Sequence, residues 1–193
     1  MTVQRKRLIA SKILTSLVVI SMFISVGNSN AIFDILGFIL MVTAGVGRIW
    51  ASAYISGFKS GKVVKDGPYS IMRNPLYFFS FLGFVGAGLT FGSIVLTIML
   101  IGTFMITHIP TILSEEKKLE GLFGDEYRKY IKSVPRFFPN FSKFYNPEEI
   151  QFYPKKFTKT LIEATYLIFG YGAVKLILWL HEIGVLPTLW INF

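Results

Sequence analysis

The chain has 193 residues, of which 52% are hydrophobic, with a mean hydropathy of +0.54 and a formal charge of +9. Its apolar residues are gathered into blocks of span length, which argues against a soluble domain, since about 20 apolar residues cross a bilayer as a helix. The absence of Cys excludes disulfides, thiol catalysis and Cys-ligated metals, and with only His108 and His181 a histidine-rich metal site is disfavoured.

Five apolar blocks predict an all-α, polytopic membrane bundle of about five spans. Span one covers Leu8–Val26, with Lys12 near enough to its end to snorkel. "MTVQRKR" before it imitates a signal peptide, but span two follows closely and Lys12 breaks the run. Span two covers Ala31–Ile55, with Asp34 near its start and Arg48 inside it. Spans three and four, Leu76–Phe91 and Ser93–Leu113, are separated by "TFGS" and form a tight helical hairpin. Span five covers Thr160–Leu180. Organisation follows: residues 1–56 hold two spans, 57–139 a central unit of loop, hairpin and post-hairpin segment, and 140–193 a linker and last span.

Three Lys and Arg residues precede span one, four follow span two, and ten lie between spans four and five. The rest, Lys12, Arg48 and Lys175, lie within spans, and the opposite loops carry none. The positive-inside rule puts the N-terminus and both large loops in the cytoplasm and the C-terminus outside. The basic excess is thus a topology signal, with scope for holding anionic headgroups, and not the mark of a nucleic-acid partner.

Two cytoplasmic segments stand out. In "SGFKSGKVVKDGPYSIMRNP", Asp66-Gly67-Pro68 is a turn signal. Pro75 drives Asn74 out of helical geometry and suits the first turn of span three. The stretch is a stiff connection that fixes Tyr69, Arg73 and Asn74 at the membrane surface. Local physics alone favours a capped helix start with an Arg on phosphate headgroups. In "SEEKKLEGLFGDEYRKYIKSVPRFFP", Ser114 is a candidate N-cap, unless span four simply continues into the cytosol. Gly124 is a helix stop and Asp125 a new N-cap. A short helix then carries Tyr127 and Tyr130 on one face, with an interfacial amphipathic helix as the bland alternative. An acid pair at a span end, Glu115 and Glu116, costs desolvation unless a cation faces it, and Arg73 and Arg136 are the candidates.

"GAGLTFG", Gly86–Gly92, imitates a nucleotide loop but has no preceding strand. Gly83, Ala87, Gly88 and Gly92, like Gly45 and Gly47 of "AGVGR", read as small residues for helix approach. Arg48 is either a functional residue or a snorkelling one.

Together, "GRIWASAYISG", "KDGPYSIMRNPLYFFSFLGFVGAGL" and "EEKKLEGLFGDEYRKYIKSVPRFFP" resemble the membrane methyltransferases related to isoprenylcysteine carboxyl methyltransferase, a pattern that phospholipid N-methyltransferases largely share. GPY, R-N-P-x-Y, E-E-x-x-L, F-G-x-x-Y-x-x-Y and V-P-R recur in order, and the resemblance covers Gly37–Pro139. It implies methyl transfer from S-adenosylmethionine to a lipophilic acceptor, of prenylcysteine-carboxylate or phospholipid-amine type. The cofactor pocket would lie at the cytoplasmic face, in a prokaryotic inner membrane. Carried over, Tyr69, Arg73, Asn74, Pro75, Tyr77, Glu116, Tyr127 and Tyr130 would hold the cofactor. Arg73, Asn74, Glu115 and Glu116 would be catalytic, and Arg48, His108 and Arg136 would face the acceptor.

Two positions depart from the pattern. Asn74 stands where many members have His, so a titrating group is absent there. Thr111 stands where prenylcysteine enzymes carry an Arg one turn before the first Glu; His108 lies one turn earlier. A non-catalytic membrane scaffold or lipid-binding protein on the same fold is the alternative, and a small transporter would need Lys12, Asp34, Arg48, His108, Glu163 and Lys175 to line a path. The sequence leaves the oligomeric state open.

Overall fold

The structure, a computed structural model, describes residues 3–28, 30–58, 61–187 and 190–191. Lys59 lies outside the described residues, as do the side chains of Arg5, Lys6, Arg7, Lys12 and Lys156, and with them the snorkelling expected of Lys12. The described residues form seven α-helices: α1 Val3–Ile24, α2 Ala31–Ile55, α3 Pro68–Ile71, α4 Pro75–Phe91, α5 Ile94–Phe123, α6 Asp125–Ser133 and α7 Pro154–Glu182. A 3₁₀ turn, Phe141–Lys143, precedes α7, and a two-residue parallel pairing joins Ser25–Val26 (β1) to Trp190–Ile191 (β2).

Helices form at all five expected blocks. Three are long and apolar enough to cross a membrane: Ala31–Ile55, Ile94–Phe123 and Phe157–Glu182. α4, at 17 residues, is shorter. Local chemistry sets the boundaries. The Asn30 side chain accepts from Phe33 N at 3.0 Å to start α2, and Ser93 Oγ accepts from Leu96 N at 3.1 Å to start α5. Pro75 opens α4 at a position where a missing N–H costs nothing. Only Gly92 and Ser93 separate α4 from α5, so the two helices must run antiparallel, as the short linker predicts.

Two expected boundaries are corrected. Ser114 is not an N-cap, because α5 runs unbroken through it and through Pro110 to Phe123. Its 30 residues span about 45 Å, roughly 15 Å more than a hydrocarbon core. The last turns therefore project past the bilayer, carrying Glu115 and Glu116 at the boundary. The cap between α5 and α6 is Gly124, at φ 51°, and Asp125 is already the first residue of α6.

Large apolar side chains cover the outside of the bundle: Ile32, Phe38, Ile98, Ile106 and Phe169 are all exposed, as lipid-facing residues are. The inside uses small residues. α2 makes its most extensive contact with α4. A Cβ on Gly86 would fall 2.8 Å from the Gly37 carbonyl oxygen and 2.8 Å from Met41 Cγ. A Cβ on Gly47 would lie 2.2 Å from the Phe79 ring. The packing role expected of Gly45, Gly47 and Gly88 is met, since a Cβ at each would fall within 2.5 Å of a facing side chain, whereas Gly92 instead caps α4 at φ 73°. α7 packs on α2 and α4, and α1 packs on α5. Where α1, α4, α5 and α7 meet, Val18, Phe91, Leu96, Leu100 and Val174 form a buried cluster. Asp34 and Lys175, among the ionisable residues in the spans, pair with each other at 3.0 Å and tie α2 to α7.

Gly86→Ala is expected to lower the thermal midpoint in detergent, since overpacking costs about 1–3 kcal/mol and each kcal/mol shifts the midpoint by about 2–4 °C at this size. Gly102→Ala, whose added Cβ meets nothing within 4 Å, should hold or raise it through helix propensity. Equal effects of the two substitutions would refute the close approach of α2 and α4.

Candidate active site

The turn before α4 is built by backbone constraints. Gly67 adopts φ 55° with the Tyr54 ring 2.5 Å from where a Cβ would sit, so only glycine fits there. The Pro68–Ile71 turn follows, entirely buried. Asn74, before Pro75, takes φ −125° and ψ 54°, outside helical geometry as a residue before proline must be. Arg73 N donates to Pro135 O at 2.9 Å and Asn140 N donates to Ile71 O at 2.9 Å, stitching this turn to the segment after α6.

Glu116, 8% exposed on the projecting end of α5, is the hub. Its Oε1 accepts from Asn74 Nδ2 at 2.9 Å and lies 3.4 Å from Arg73 Nη1. Its Oε2 accepts from Arg136 Nε at 3.0 Å. Asn74 Nδ2 also donates to Arg136 O at 3.0 Å. The expected pairing of the acids with Arg73 and Arg136 is thus found, with Glu116 taking both arginines. Glu115 points elsewhere and accepts from the Tyr77 hydroxyl at 3.0 Å.

α6 folds back against the turn. Tyr127 and Tyr130 are both buried, with ring centroids 5.8 Å apart, and the Tyr130 hydroxyl donates to Tyr69 O at 2.8 Å. α6 is therefore a packed wall, its tyrosine face turned into the protein. Burial, with the Glu116 carboxylate next, pushes the Tyr127 hydroxyl up to about 12 despite the Arg73 guanidinium beside it. Burial likewise raises Tyr130, helped by its neighbour Tyr127, and raises Tyr69, helped by Tyr130 and Glu115. All three stay protonated and act as neutral hydroxyls.

These groups surround one cavity of about 640 Å³, within the range of small-molecule sites. Tyr69, Arg73, Asn74, Pro75, Tyr77, Glu115, Glu116, Tyr127 and Tyr130 all line it, as do Arg48 and His108. Arg136 does not line it; it braces Glu116 from behind. Arg48 is drawn inward: its Nη1 donates to Ser80 Oγ at 2.5 Å and Leu76 O at 3.3 Å, and its Nε is buried without a partner among the described groups. Arg73 Nε is likewise buried and unmatched. His108 stacks on Phe104 with centroids 4.4 Å apart and planes 8° apart, while Thr111 is exposed and bonds back to Thr107 O.

Sequence reasoning did not assign Glu163 and Thr160 to the site. Both are on α7 and line the cavity, and Glu163 lies within electrostatic reach of Arg48. An acid one turn from a Thr at the cavity end of span five was the one available hint. Among the described residues no group of three His, Cys, Asp or Glu could hold a metal ion. The arrangement pairs unmatched guanidinium N–H groups with carboxylates and aromatic faces, a combination suited to a ligand bearing both an anionic and a cationic group.

Known proteins show the same kinship. The phospholipid methyltransferase family model matches residues 13–126. The nickel-cobalt-cadmium resistance protein NccN of Alcaligenes xylosoxydans xylosoxydans is 35% identical over 132 residues, 68% of this chain and 62% of that protein. The cobalt-zinc-cadmium resistance protein CzcN of Cupriavidus metallidurans is 30% identical over 151 residues, 78% of this chain and 69% of that one. A protein-S-isoprenylcysteine O-methyltransferase of Schizosaccharomyces pombe is 31% identical over 124 residues, 62% of this chain and 52% of the enzyme. This chain thus spans about two thirds of the two resistance proteins and half of the third relative. No solved structure matches significantly. With well over half of its length matched and its apolar helices suited to a bilayer, the chain belongs to the phospholipid methyltransferase family of integral membrane methyltransferases.

Proposed function

We propose that this chain transfers a methyl group from S-adenosylmethionine to a lipophilic acceptor at the cytoplasmic membrane face. The observation that carries this reading is the single cavity in which "GPY", "RNP-x-Y", "EE" and the paired tyrosines of α6 converge from three separate segments. The charge asymmetry of the loops supports a cytoplasmic position. The residues fit the cofactor. Arg73, with its unmatched buried Nε, and the Tyr127 hydroxyl suit its carboxylate. Glu115 and the rings of Tyr69, Tyr77 and Tyr130 suit its positive end.

Bound there, S-adenosylmethionine would supply the activated methyl group. The chain's own task is to align the two reactants and keep water out. Glu116 holds Arg73, Asn74 and, through Arg136, the wall after α6 in one arrangement. Asn74 cannot titrate, and its amide is spent on Glu116 and the Arg136 carbonyl, so it orients and does not transfer protons. With these three tyrosines held neutral, Glu115, Glu163 and His108 are cavity groups placed to take a proton from an amine acceptor. A carboxylate acceptor needs no base, and Arg48 supplies at the cavity the cation that exposed Thr111 does not. Two relatives are named for metal resistance.

Detergent-solubilised protein should bind S-adenosylmethionine in calorimetry, and Arg73→Ala should weaken binding at least tenfold, about 1.4 kcal/mol. Full affinity in Arg73→Ala would refute the site assignment. Membranes incubated with methyl-labelled cofactor should label a lipid-soluble species; base-released methanol identifies a carboxyl ester, and stable label in a phospholipid identifies an amine. No labelled species would leave the non-catalytic, lipid-binding reading.

The raised tyrosines set an alkaline limit. An unfolded Tyr titrates near 10, so the stability that neutral Tyr127 contributes is complete below pH 10. It is lost as pH rises through about 12, where Tyr127 ionises in the folded protein. The thermal midpoint should fall over that window, and fall less in Tyr127→Phe.

A further inference from the structure

The segment between α6 and α7 is unaccounted for by the reaction. From Pro135 to Tyr145 it reads "PRFFPNFSKFY": five aromatic residues, Arg136 and Lys143, and no acid. Its side chains divide into two sets. Phe137 turns inward and packs in the groove between α4 and α5, with ring centroids 5.6 Å from Phe78, 5.8 Å from Phe81 and 6.2 Å from Phe104. Phe144, itself half exposed, reaches Trp50 of α2 at 6.1 Å. Phe138 and Phe141 turn outward and are 72% and 71% exposed, and Tyr145 is 60% exposed.

The inward contacts fix the depth of the segment. Phe78 and Phe81 lie three and six residues inside the start of α4, and Trp50 five residues before the end of α2. At 1.5 Å per residue these contacts sit about 4–9 Å inside the helix ends, the depth of the headgroup layer and the first acyl carbons. Backbone at the membrane boundary needs partners for its polar groups, and five amides of this segment find them within the protein. Asn140 N donates to Ile71 O, Lys143 N to Asn140 O and Phe144 N to Phe141 O. Ser142 N donates to Asn140 Oδ1 and Tyr145 N to Ser70 Oγ. Pro135 and Pro139 have no amide to satisfy.

We infer that residues 135–145 form an in-plane strap embedded in the lipid interface at the cavity end of the bundle, with Phe138 and Phe141 inserted among the lipids and Arg136 and Lys143 at phosphate level. The occupant of this face is the bilayer itself, as outward aromatic side chains beside Lys143, in a stretch with no acid of its own, favour an anionic interface. Its residue Arg136 is also the brace of Glu116, so the strap joins the lipid surface to the cavity wall. The inference does not depend on the reaction.

The absence of Cys permits a direct test on the full chain. Phe138→Cys, Phe141→Cys and, as a reference, Asp125→Cys, whose side chain is 86% exposed at the start of α6, are labelled with nitrobenzoxadiazole. Each is then reconstituted in vesicles of phosphatidylcholine and phosphatidylglycerol. Labels at 138 and 141 should be quenched several-fold more by lipids with a nitroxide near the headgroup than by aqueous iodide, and the label at 125 should show the reverse. Iodide access at 138 and 141 equal to that at 125 would overturn the strap, as would stronger quenching by nitroxides at the acyl-chain ends. Both strap positions are exposed, so either variant carries the test if the other fails to assemble.

Discussion

One carboxylate organises the membrane boundary of this protein. Glu116 is buried on α5 where the helix leaves the apolar layer, a place where an unpaired charge costs several kcal/mol. It is neutralised by Arg73 from the turn before α4 and by Arg136 from beyond α6, and Asn74 donates to it as well. These partners stand 20 to 62 residues apart in the chain's hydrogen-bond pairings. Satisfying that single charge therefore draws the two loops together over the end of the hairpin, and the cavity is the space they enclose.

The helices below set what the cavity meets at its lipid end. Because Gly37 and Gly86 lack side chains, α2 and α4 approach closely, and Gly47 accepts the Phe79 ring. Arg48, next along α2, is thereby aimed across the interface at Ser80 and the Leu76 carbonyl. A residue that hydropathy alone would let snorkel outward is held inside by packing. Removal of α7 would open this wall, since Thr160 and Glu163 complete it.

The polar and apolar surfaces suit chemistry at a phase boundary. One side of the cavity offers carboxylates, guanidinium groups and neutral hydroxyls; the other runs into an aromatic cluster of Phe78, Phe81, Phe104, His108 and Phe137. A water-soluble donor and a lipid-soluble acceptor would each meet surfaces of matching polarity. Proximity is then the principal contribution the protein has to make.

The helices and the hairpin were legible in the amino-acid sequence because they depend on local signals. Apolar runs of span length, a two-residue linker, proline before a helix and glycine after one each act within a few residues. Ser114 and Asp125 mark the limit of that reading: a cap signature at Ser114 was overridden by continued helix, since an intact α5 carries Glu116 to its partners, and Gly124, the expected stop, itself caps both helices. The family motifs named the lining residues but not which acid each arginine would meet. The folded chain sets the pairing: Glu116 takes both arginines while Glu115 takes Tyr77, Arg136 braces from behind the cavity, and Glu163 enters from a helix outside the matched region. Those pairings join residues distant in the chain, and burial of charge beside lipid, not any local pattern, selects them.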